Sequence, residues 1–161
     1  MPSKAAEQKA YRAIGAFQCA FSVLEHELGE TIKTILRLQQ PEAGDMVVAA
    51  LGDFARKASF IRAAIAVAKK PDGSGTSDEW KAKTDKTIRD CLGVNQVSRV
   101  LLALSEVKQI KAELGTFTIA VPDLLGWISL DVPLRRRAGT SPEALRAVIT
   151  PASDWVPRPP D

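Results

Sequence analysis

Arg12 to Leu36 reads RAIGAFQCAFSVLEHELGETIKTIL. Its apolar residues Ile14, Phe17, Phe21, Leu24, Leu28, Ile32 (or Thr31) and Ile35 recur at intervals that alternate between three and four. Such spacing puts them on one face of a helix of 3.6 residues per turn. The pattern extends over about Ala5 to Gln39, ending before Pro41. A helix this long with a single apolar face has to be covered by other helices, so the chain reads as an all-α, up-down helical bundle.

Two further helices are expected to supply that cover. Glu42 to Lys69 carries Val47, Leu51, Phe54, Ile61 and Ile65, with Ala58 and Ala68 filling the row. Lys69 to Ser77 (KKPDGSGTS) is a loop of Pro, Gly and polar residues. Ser77 caps the next helix, and Asp78 and Glu79 complement its positive end. That helix runs from about Asp78 towards Leu114 through Trp80, Ile88, Cys91, Leu92, Val97, Leu101, Leu104, Val107 and Ile110. Gly93 costs about 1 kcal/mol relative to Ala inside a helix, which makes it the place for a kink or break.

Beyond Gly115 the pattern changes. Thr116 to Val121 is β-branched between Gly115 and Pro122 and reads as a short strand. Thr140-Ser141-Pro142-Glu143 has capping-box spacing and starts a short helix, which Pro151 stops. The division expected is therefore a helical bundle domain over 1–150 and a Pro-rich tail over 151–161. No repeat is visible, and no heptad run is long enough for an extended coiled coil. Three long helices and one short one leave apolar surface open on the third, and homodimerisation is the economical cover.

Composition excludes several functions. The chain has 161 residues and a formal net charge of +3, too small an excess to indicate nucleic acid by itself. One histidine, His26, and two cysteines, Cys19 and Cys91, cannot assemble a zinc set of four Cys and His ligands, so no metal or cofactor is expected. Neither a signal peptide nor an apolar run of the ~20 residues that span a bilayer is present, which makes the cytosol the expected compartment. Phosphate-binding Gly loops, nucleophile elbows and HExxH are also missing.

The polar residues that attract notice lie in Val94 to Glu106 (VNQVSRVLLALSE). On a continuous helix, Asn95, Arg99, Leu102 and Glu106 share one row, and such a polar row is solvated, paired or used. Glu25 on the first helix is positioned to pair with Arg99, with Glu106 as the other candidate. His26 lies off the apolar row and reads as an exposed bystander. Arg135-Arg136-Arg137 is the one basic cluster, a candidate for phosphate contacts without an aromatic platform for base stacking. Trp155 in the tail is a candidate anchor for a partner or simply part of a frayed end.

The order of three segments, Gly15 to Glu25, Leu51 to Lys57 and Arg99 to Leu104, resembles bacterial helical proteins of the HEPN type, which include ribonuclease toxins. The resemblance covers roughly Gly15 to Ser105. It implies an Arg-Asn-x-x-Ala-His element late in the third helix, whose Arg and His, paired across a dimer, act on RNA phosphodiesters. Arg99 and Ala103 match, but Val100 stands for the Asn and Leu104 for the His. Leucine has no proton to transfer. The resemblance therefore implies a degenerate, non-catalytic relative that works as a dimeric interaction protein, with Arg99, Asn95 and Glu25 as a remnant site. The alternative is an RNA-cleaving or nucleic-acid-binding protein using Arg99 and Arg135–Arg137.

Overall fold

The computed structural model describes residues 3–120 and 122–124. Five α-helices carry them: α1 Lys4–Leu36, α2 Pro41–Leu51, α3 Phe54–Val67, α4 Asp78–Asp90 and α5 Val97–Thr116, with a 3₁₀ turn at Cys91–Gly93 between the last two. The all-α expectation holds, and no strand forms among the described residues. Thr116 to Val121 is a correction. Helix α5 takes Thr116, and Thr118 makes only an isolated antiparallel bridge to Lys69. The expected short helix over 140–150, Arg135–Arg137 and the tail with Trp155 lie outside the described residues.

The expected second helix is two helices. At Gly52 the backbone takes φ 72° and ψ −88°, and the Asp53 N–H donates to the Leu51 carbonyl at 3.0 Å. This is a γ-turn of the rare hand, whose central φ is about +75°. A side chain is strained there and glycine is not. Asp53 then restarts the helix, its carboxylate accepting from the Arg56 N–H at 2.9 Å. Ser77 caps α4 as expected, accepting from the Trp80 N–H at 3.2 Å. The break expected at Gly93 is also found, so the third helix becomes α4 and α5.

Contacts between ends give the direction of each helix. Glu25 of α1 meets Lys57 of α3, and Phe21 stacks on Phe54, so α1 and α3 run the same way. Val48 and Asp45 of α2 approach Gly29 and Lys33 of α1 in reverse order, which makes α2 antiparallel. The Trp80 indole N–H donates to Glu113 at 2.6 Å, so the start of α4 lies beside the end of α5. Lys111 sits against Glu27 and Gly115 against Thr34, which makes α5 parallel to α1. The chain thus runs up, down, up, down, up, and α5 closes the bundle against α1.

The core fills the space among these helices. Leu24, Leu28 and Ile32 of α1, Ile61 of α3, Ile88 of α4, and Val100, Val107 and Leu114 of α5 are fully buried. Ion pairs key the helices around α1. Glu25 takes the Lys57 ammonium at 2.7 Å, Glu27 takes Lys111, and Lys33 bridges Glu30 and Asp45 of α2. Asp45 and Glu30 hold the Lys33 ammonium above its usual pKa. At the top, Arg37 ends α1 in the left-handed region, φ 48°. Its guanidinium donates to the Gly115 and Phe117 carbonyls at 2.8 and 2.6 Å, satisfying acceptors left open at the end of α5.

Helix α1 is longer than the bundle it centres. Thr34 lies level with Gly115, so counting back along the parallel pair brings the first turn of α5 level with Ala16 and Phe17. Phe54 begins α3 at the level of Phe21. Everything from Lys4 to Ala16 projects past both neighbours by roughly 20 Å at 1.5 Å per residue, and every one of those residues is exposed.

Candidate functional site

The row built on Asn95 and Arg99 does not form. Val94 to Gln96 is a connector, and α5 begins only at Val97. Asn95 is exposed on that connector, and Arg99 is exposed in the first turn of α5, adjacent to the buried Val100. The connector that follows Gly93 keeps Asn95 outside α5, so the two residues do not share the row that a continuous helix would give them.

Glu25 does not reach Arg99. Its carboxylate is taken by Lys57, whose ammonium is mostly buried between α1 and α3. Arg99 lies level with Phe17 and Gln18, about two turns below Glu25. Glu106 is exposed and, like Glu25, makes no ion pair with Arg99. Asn95, Arg99 and Glu25 are therefore three separate residues rather than one constellation. Arg135–Arg137 fall outside the described residues.

Leu104, at the position where the resemblance requires histidine, is half-buried and packs against the core. Its expected neighbour Leu101 is 54% exposed and not part of the packed row, which is Val100, Ala103, Val107, Ile110 and Leu114. His26 is exposed on α1, off the buried face. Among the described residues, the start of α5 thus offers a guanidinium beside apolar side chains and no group able to accept and return a proton near neutral pH. Among the described residues, no group of three or more His, Cys, Asp and Glu could hold a metal ion. No described helix is long and apolar enough to cross a membrane.

The thiols differ. Cys19 is exposed on α1. Cys91 is buried, its S–H donates to the Thr87 carbonyl, and burial, with Glu106 and Asp90 nearby, pushes its pKa up to about 11. A thiol so protonated is a packing group and a poor nucleophile.

What stands out instead is apolar surface. Tyr11 and Ile14 on the projecting part of α1 are 73% and 54% exposed, and Leu101 and Leu102 are open on α5. Phe17 and Phe21, half-buried at the base of the projection, stack with ring centroids 5.8 Å apart, and Phe21 stacks on Phe54 at 4.7 Å. Sequence reading found Ile14, Phe17 and Phe21 but assigned them to the core. It passed over Lys57 and Arg37, which hold the helices together. No family model, no curated protein and no solved structure matches the chain.

Proposed function

We propose that the protein is a non-catalytic helical interaction protein that works as a homodimer, a degenerate relative of the HEPN-type proteins it resembles. The observation that carries this reading is the apolar row of α1. From Leu24 onward its members are buried by the chain's own helices, whereas at Ile14 the same row lies open to water. Open apolar rows of this kind are where helical proteins take partners.

A lack of proton-transfer groups at Arg99 among the described residues supports the non-catalytic half. A positioned acid or base contributes about 10²–10⁴ in rate, and Leu104 cannot supply it. Light scattering on a size-exclusion column is the test of assembly, with twice the chain mass expected at tens of micromolar. A monomer at that concentration would overturn the dimer. Incubation with total RNA and tRNA tests the chemistry. No cleavage is expected from the parent, and cleavage that disappears in both Arg99→Ala and His26→Ala would establish the ribonuclease reading in its place.

A further inference from the structure

We draw no further inference here: the strongest candidate, the exposed apolar patch of Tyr11 and Ile14 on the part of α1 that projects past α3 and α5, carries no proposal because nothing in the structure shows what covers it.

Discussion

Gly52→Ala is the substitution that tests how the bundle turns from α2 into α3. No atom lies within 4 Å of where the added Cβ would sit, so crowding contributes nothing and the effect is conformational. At φ 72° an L side chain costs about 1–3 kcal/mol. Restricting the unfolded chain returns about 0.4–1 kcal/mol. The net expectation is a loss of about 1–2 kcal/mol. Gly93→Ala is the matched control, since its Cβ also enters open space but its φ is not positive. There only the unfolded-state gain remains, and the variant is expected to be neutral or up to about 1 kcal/mol more stable. Thermal unfolding followed by circular dichroism reads the difference. At roughly 2–4 °C per kcal/mol for a chain of this size, the two midpoints should differ by about 5–10 °C, with Gly52→Ala lower. Midpoints within 1 °C of each other would show that the γ-turn does not govern the α2–α3 junction.

Three other predictions address the ties between helices and the thiols. Arg37→Ala removes two charge-assisted hydrogen bonds at an exposed site and is expected to cost about 1 kcal/mol in urea unfolding, whereas Arg99→Ala should stay within about 0.5 kcal/mol. A thiol reagent should modify one cysteine per native chain, Cys19, and two in denaturant; rapid native labelling of Cys91 would contradict its burial. Because the folded Cys91 pKa lies above its unfolded value of 9.0, at about 11, its contribution to stability is complete below pH 9 and is lost as pH rises through 11. A rise of this size corresponds to roughly 3 kcal/mol, so the alkaline loss should be smaller by about that amount in Cys91→Ala.

Much of the architecture could be read from short-range signals. The intervals of Ile14 to Ile35, the Ser77 cap, the Lys69–Ser77 loop and the break at Gly93 depend on neighbours within a turn or two. The split at Gly52 was equally local, a glycine followed by a capping Asp three residues before Arg56, but the apolar row of Val47, Leu51 and Phe54 spans the junction and masks it. Thr116 to Val121 misled because β-branched residues fit a strand and a helix end alike, and tertiary contact decided between them. The remnant site failed for a different reason. Aligning Asn95 with Arg99 assumed that the helix is already continuous at Asn95, whereas it breaks at Gly93 and resumes only at Val97. Glu25 had several cations within reach of an unfolded chain, and only the packing of α3 on α1 selects Lys57. Periodicity also identifies which residues of α1 are apolar without showing how far the other helices extend, so the open part of the row could not be told from the covered part.

The parallel contact between α1 and α5 fixes an order of events during synthesis. Arg37 and Gly115 are 78 positions apart in the chain, and at about 5–20 residues per second the ribosome needs on the order of 4–16 s to make that interval. Helices α2 and α3 emerge in between and cover other sides of α1, and α4 packs on α3. The flank bearing Glu27 and Thr34 waits for the last of the five helices. Until then the nascent chain holds an acidic side chain and a length of apolar helix without their intended cover, so a stall before Val97 leaves a species prone to aggregation or chaperone capture, and release of α5 ends that exposure in a single step.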